Sequence, residues 1–435
     1  MSKYLLQCLS CGAKITDNYT LDCSCGKGGF FRTVYQQKSF NPSSENTLWR
    51  FQEWLPVEKP ASVGSLGNEK QIFEGYPGKT VVYKSVYLGK ELGLKNLFIA
   101  FNGYWPEKNA KIVTGTFKGL EAPPTIRRAI EKGLRRLLLA TAGNTGRAFA
   151  EEAAHQAFEV IIVASKSAQE RLWTTQEVKE ENVKYIALEK ENDYTNAIKL
   201  GKRICSEIKI ETEGGARNVA RRDGMGTCLL EAVTEIGSLP HHYFQAIGSG
   251  TGGIAAWEAA MRLLEDGRFG QVLPKLHLAQ NKEFAPIFNA WLERRPMITD
   301  TDLTLPVEKI TELFAEVLAN RTPPYSVNGG VFDALTATQG EMYAISKSKA
   351  IAMSKFFSST EEIDIVPPAA IAVGALVEAV NNEKVAANDI ILLNITGGGL
   401  LRLKEDYDLV PIKPLITLKH PNDPLDEVSE LLIKD

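Results

Sequence analysis

Between residues 96 and 395 the chain alternates short apolar runs with stretches of helical spacing, and this alternation limits the fold more than any single motif. The runs Asn96–Phe101, Arg135–Ala140, Glu159–Ala164, Val183–Leu188, Tyr243–Ile247, Lys275–Ala279 and Ile390–Ile395 have strand length. Ala122–Lys132, Arg147–Gln156, Tyr194–Ile208 and Gly253–Leu264 instead repeat apolar residues every three or four positions. Strands separated by helices of about 10–15 residues require crossover connections, hence mainly parallel sheets covered on both faces. The expected class is α/β. In such folds ligands sit beyond the carboxyl ends of strands, in the turns that lead into helices.

Composition narrows the function classes. The 435 residues make about three units at roughly 150 residues each. With 50 basic against 53 acidic residues the net charge is −3, and 44% of residues are hydrophobic. These values exclude disorder, collagen-like repeats and a generally basic nucleic-acid surface. The most apolar stretch, Pro367 to Val380, is interrupted by Gly374 and Glu378 and is shorter than the ~20 residues a membrane helix needs. Lys3 is followed only by Tyr4-Leu5-Leu6 before Gln7 and Cys8, too short an apolar region for a secretory signal. A cytoplasmic location is expected, with no membrane or nucleic-acid partner.

Four of the six cysteines crowd the first 25 residues as Cys8-x2-Cys11 and Cys23-x-Cys25, while Cys205 and Cys228 stand alone. A reducing compartment disfavours disulfides. Paired cysteines near glycines fit the two knuckles of a structural zinc ribbon, although the second pair is one residue short and a knuckle that keeps its turns without metal is the alternative. From Pro42 to Ser85 the pattern is weak and punctuated by Trp, Pro and Gly, which suggests short strands and loops leaning on a larger body.

Four turns carry candidate chemistry. Gly248-Ser249-Gly250-Thr251-Gly252-Gly253 follows one strand and opens a helix, so convergent amides and a helix N-terminus suit a phosphate. Gly248, Gly250 and Gly253 satisfy G-x-G-x-x-G, but the next strand ends Leu278-Ala279-Gln280-Asn281 without the carboxylate that a dinucleotide ribose needs. No Lys-Ser or Lys-Thr follows, which argues against a triphosphate loop. Thr141-Ala142-Gly143-Asn144-Thr145-Gly146 is the second turn, and Thr114-Gly115-Thr116-Phe117-Lys118-Gly119 places one lysine before a Pro-rich helix start. Asn394-Ile395-Thr396-Gly397-Gly398-Gly399 presents a hydroxyl at a strand end. Each of the last three, alone, reads as a cap, a solvated lysine or an ordinary turn.

Together and in this order, the four features resemble the fold-type II pyridoxal-phosphate enzymes, most closely the threonine synthase family. That family carries S/T-F-K, S/T-x-G-N-T, a Gly-rich cup and a late T-G-x-G, and many members begin with Cys-x2-Cys pairs. The resemblance implies pyridoxal 5'-phosphate as cofactor, and two doubly wound domains around a cofactor cleft, like the tryptophan synthase β chain. It also implies Lys118 as the Schiff-base lysine, Asn144 beside the cofactor 3-hydroxyl and Gly248, Ser249, Gly250, Thr251 and Gly252 as phosphate cup. Thr396 would face the pyridine nitrogen. A neutral hydroxyl there fits β-elimination and replacement better than transamination.

The chain departs from the family at Lys118-Gly119-Leu120, where Lys-Asp-Arg is usual. The strings TGTFKGLEAPPT and AGNTGRA resemble the branch of methanogenic archaea that replaces the phosphate of O-phosphoserine by sulfite, giving L-cysteate on the route to coenzyme M. On that resemblance Lys118 removes the α-proton, phosphate leaves and sulfite adds at the β-carbon. The alternatives are a threonine synthase acting on O-phosphohomoserine, a NAD-binding protein and a non-catalytic ligand-binding protein. Anionic substrates need local cations, and Lys111, Arg147 and the cluster Arg217, Arg221 and Arg222 are the candidates, Arg222 foremost within the cluster, with Thr141 as a further substrate contact. His155, His241, His242 and Asp333 have no catalytic spacing. The expected division is a Cys-rich ribbon over 1–34, the first part of the larger cofactor domain over 35–140, a smaller mobile domain over 141–240 and the remainder of the larger domain over 241–435, in a homo-oligomer.

Overall fold

The structure is a computed structural model that describes residues 2–58 and 78–433. Two parallel sheets dominate. The larger runs Glu341–Ile345, Lys275–Asn281, His242–Ala246, Ile390–Ile395, Asn96–Phe101 and Val81–Lys84, all parallel except the last, which pairs antiparallel at the edge. The smaller runs Ile416–Leu418, Val183–Leu188, Glu159–Ser165 and Arg136–Ala140, parallel throughout. The strands are apolar on both faces because helices cover both. Pro367–Asn381, itself apolar almost all round, packs on the larger sheet, and Tyr194–Ile208 packs on the smaller.

A third sheet, Lys14–Ile15, Tyr4–Cys8 and Phe31–Tyr35, is antiparallel and carries the cysteines. It alternates buried and partly buried residues, and its inward Tyr4, Leu6, Phe31 and Tyr35 join the core around helices Val219–Ile236 and Thr251–Asp266. Buried pairs fix it there: Arg128 donates to Asp17 at 2.7 Å, and Thr33 and Tyr35 donate to Asp223 at 2.7 and 2.6 Å.

The expected boundary at 140/141 falls one strand late, since Arg136–Ala140 belongs to the smaller sheet. Helix Val219–Ile236, inside the expected small domain, packs instead on Thr251–Asp266 of the larger body. The end of the chain also crosses back: Ile416–Leu418 adds an edge to the smaller sheet, and Leu425, Val428 and Leu432 complete its core. Of the weakly patterned 42–85 segment, residues 59–77 lie outside the described residues. The rest contributes the 3-10 helix Leu48–Trp54 and the edge strand Val81–Lys84. Among the described residues no helix is long and apolar enough to cross a membrane.

Candidate active site

The two parallel sheets turn the carboxyl ends of their strands toward one cleft, of about 810 Å³ counted with its open mouth. Lys118, Asn144, the Gly248–Gly252 turn and Thr396, which lie up to 278 residues apart in sequence, all line it.

Lys118 sits in the 3-10 helix Phe117–Leu120, where the Thr116 hydroxyl accepts its backbone N–H at 3.3 Å. Its side chain is 25% exposed and its Nζ lies 3.3 Å from Glu121 Oε2. Burial holds the Lys118 amine below the usual lysine range, with Glu121 opposing and Arg221 adding to the depression. A neutral amine is the form that condenses with carbonyls and accepts protons.

The turn after Ala140 is shaped by Thr141, whose hydroxyl oxygen accepts the amides of Gly143 and Gly146 at 2.9 and 3.1 Å. Gly143 adopts φ +123°, and a side chain there would also strike Arg171, so glycine is required. Asn144 then begins the helix Asn144–Ala153, three residues earlier than the spacing suggested. Its Oδ1 accepts from Arg147 Nη2 at 3.4 Å.

In the Gly-rich turn, Gly250 has φ +81° and leads into helix Thr251–Asp266. A Cβ on Gly252 would meet the Gln245 amide nitrogen at 2.2 Å, and Tyr243 pins Gln245 by donating to its Oε1 at 2.7 Å. Glycine is therefore required at 252 for the turn to close over Gln245. Backbone amides at this helix start, with the helix dipole behind them, favour a phosphate. Across the cleft, Thr396 Oγ1 is buried and has no hydrogen-bond partner in the protein. Such an orphan costs free energy unless a ligand satisfies it.

Cations were assigned less well. Lys111 is exposed on the hairpin Tyr104–Trp105/Ala110–Lys111 and does not line the cleft. Arg222 is 0% exposed, bound to Glu258 at 2.9 Å and to the carbonyls of Ala216 and Phe31, so its substrate role is withdrawn. Its helix neighbour Arg221 faces the cleft instead. Arg217 pairs with Asp22 near the surface. Arg147 is buried behind the Asn144 turn, its guanidinium over the Trp173 ring at 4.2 Å, and burial beside Arg171 brings it down to about 9. It supports the turn rather than lining the cavity.

Sequence reasoning missed Glu121, Tyr194 and Asn320. An acid and an arginine do flank Lys118, but they come from Glu121 three residues on and from Arg221 on another helix. Burial pushes the Tyr194 hydroxyl up to about 12, so it stays protonated in the cleft. Of the unassigned histidines, His242 opens its strand and joins His277 and Tyr343 in a hydrogen-bonded row, 2.9 and 2.8 Å apart, and none of the three lines the cleft.

Away from the cleft, the Sγ atoms of Cys8, Cys11, Cys23 and Cys25 all lie within 4.8 Å of one another, with Cys11–Cys23 at 3.8 Å and Cys8–Cys25 at 3.9 Å. A tetrahedron with Zn–S bonds of ~2.3 Å has edges of about 3.8 Å. The donor set and its spacing fit that ion.

Comparison with known proteins places this geometry. The family model described as pyridoxal-phosphate dependent enzyme matches residues 74–397. The cysteate synthase of Methanocella paludicola is 46% identical over 433 residues, covering 99% of this chain and 98% of that one. The cysteate synthase of Methanosarcina acetivorans is 47% identical over 430 residues, covering 99% and 100%. Among solved structures, a pyridoxal 5'-phosphate-dependent aspartate racemase has a TM-score of 0.56 at 14% identity, covering 74% of this chain and 90% of that one. The serine racemase of maize has a TM-score of 0.55 at 15% identity, covering 75% and 91%. These two share the fold.

Proposed function

The chain belongs to the pyridoxal-phosphate dependent enzymes, in the group that contains the cysteate synthases, and from that premise we propose that it replaces the phosphate of O-phospho-L-serine by sulfite to give L-cysteate and phosphate. The observation that carries this reading is the near-full-length match to proteins of that name.

The residues present fit the cofactor. Thr396 offers an unsatisfied buried hydroxyl for the ring nitrogen, the Gly248–Gly252 amides a cup for the phosphate, Asn144 an amide for the ring hydroxyl and Lys118 an amine for the aldehyde. When bound, the cofactor supplies the electron sink for charge at the substrate α-carbon. Lys118 Nζ takes the α-proton and later returns it, a task suited to an amine whose proton affinity burial lowers. Arg221 receives the anionic end of the substrate, taking the place assigned to Arg222 from sequence. At the β-carbon a C–O bond to phosphate is exchanged for a C–S bond to sulfite, with no net oxidation. Phosphate beside a guanidinium is a far better leaving group than hydroxide. Tyr194 and the Thr141–Thr145 turn close the remaining wall around the substrate.

A structural zinc on Cys8, Cys11, Cys23 and Cys25 is part of the same proposal, supported by the sulfur spacing. So are a cytoplasmic location and a homo-oligomeric assembly.

The test offers O-phosphoserine and O-phosphohomoserine, each with and without sulfite, and follows phosphate release and amino-acid products. Sulfite-dependent cysteate from O-phosphoserine is expected. Threonine from O-phosphohomoserine, with no cysteate, overturns the reaction and leaves the cofactor site standing.

A further inference from the structure

Glu121 has no part in the reaction as described, yet it is 0% exposed and lies directly beside its central lysine. A carboxylate with no access to water needs compensating charge. It stands between two cations from different elements, Oε2 at 3.3 Å from Lys118 Nζ and Oε1 at 3.1 Å from Arg221 Nη2. Arg221 continues to Glu213 at 2.7 Å, so acids and bases alternate as Lys118, Glu121, Arg221, Glu213 with a formal charge of zero. Tyr194 lies beside the same groups and lines the cleft with Lys118 and Arg221. The array is not closed on itself: Glu121 Oε1 and Arg221 Nε are buried without a hydrogen-bond partner.

We propose that Glu121 is a positioning residue of this reaction, holding the Lys118 amine in the cleft whenever that amine is free and holding Arg221 beside it for the anionic end of the substrate. The proposal rests on the reading that Lys118 carries the cofactor. Its physical content is electrostatic. Burial and Arg221 lower the proton affinity of Lys118, while Glu121 and Glu213 raise it. Glu121 is the acid in contact. Neutralising it leaves Lys118 and Arg221 as facing like charges, so the free amine gives up its proton at lower pH.

The experiment compares wild type, Glu121→Gln and Glu121→Asp as cofactor-loaded proteins. Borohydride reduction and peptide mapping first locate the cofactor in each. The visible absorption of the bound cofactor, which reads the proton on Lys118 Nζ while it carries the cofactor, and the kcat of sulfite-dependent phosphate release, which reads the freed amine, are then followed against pH. In Glu121→Gln both midpoints are expected to move down by about one pH unit or more. KM for O-phosphoserine is expected to rise as Arg221 loses one of its two carboxylate anchors and keeps only Glu213. Glu121→Asp keeps the charge one methylene further away and shifts the midpoints the same way by less. Should Glu121→Gln fail to take up cofactor, the Asp variant decides. Midpoints that superimpose on wild type, with the label on Lys118, overturn the role of Glu121 and leave the functional reading intact. A label on another lysine overturns that reading and this proposal with it.

Discussion

Thr396 is a residue whose chemistry makes sense only with a ligand opposite. Its hydroxyl is buried without a protein partner at the end of strand Ile390–Ile395 and lines the cleft, where a ligand can satisfy it. Thr396→Val keeps the shape and removes the orphan. In the cofactor-free protein this substitution should leave stability unchanged or raise it by up to about 1 kcal/mol, read by thermal unfolding. In the loaded enzyme it should lower kcat by about tenfold, the loss expected when a buried ring nitrogen is left without its hydrogen-bond partner. A stability loss without a change in kcat would make Thr396 an ordinary packing residue. Lys118, Asn144 and Thr396, which the structure brings to one cleft, stood out in the sequence because each sits in a short motif, the last two after strands and Lys118 before a Pro-rich helix start. Glu121 did not, and Arg221 stood out only as one of the cluster Arg217, Arg221 and Arg222. Adjacent helical residues point about 100° apart, so one residue of phase separates the cleft-facing Arg221 from the core-buried Arg222, and no short motif encodes that phase.

At the scale of elements, the seven strands expected from the sequence all form, three of them with the expected bounds and the others shifted by no more than two residues at an end. Long apolar runs flanked by turns carry their own signal. Glu341–Ile345 and Ile416–Leu418 were missed, and Val81–Lys84 was anticipated only as one of the short strands of the 42–85 segment, because all three lie at sheet edges, where burial on one side imposes less pattern. The N-terminal sheet was anticipated only through its cysteines. Its inward face docks on the core, and its sulfur cluster spans the edge of that packing, with Cys8 buried in the core, Cys23 and Cys25 half-buried against it and Cys11 exposed. Metal analysis of the purified protein should find one zinc per chain. Chelation should lower thermal stability while sparing cofactor uptake, because the cluster does not line the cleft. Trace zinc only, with all four thiols freely alkylated in the native protein, would contradict this.

Across the whole molecule, the active cleft exists only because the two sheets face each other, and residues distant in sequence hold them so. Arg171 of the smaller unit donates to the Ala142 carbonyl at 3.0 Å and pairs with Glu316 of the opposite wall. Arg321, on that same wall, pairs with Asp193 at 3.2 Å, just before helix Tyr194–Ile208. These pairs join segments more than 100 residues apart, which is why the domain boundaries were only partly legible. Crossing of the chain between bodies leaves no compositional mark. The central claim is that this geometry converges on one lysine as the cofactor anchor. The most direct test is borohydride reduction of the protein loaded with pyridoxal phosphate, followed by peptide mapping. The account predicts a yellow protein that loses its colour and carries the pyridoxyl group on Lys118. A protein that takes up no cofactor, or a label on Lys111 or any other lysine, would contradict it.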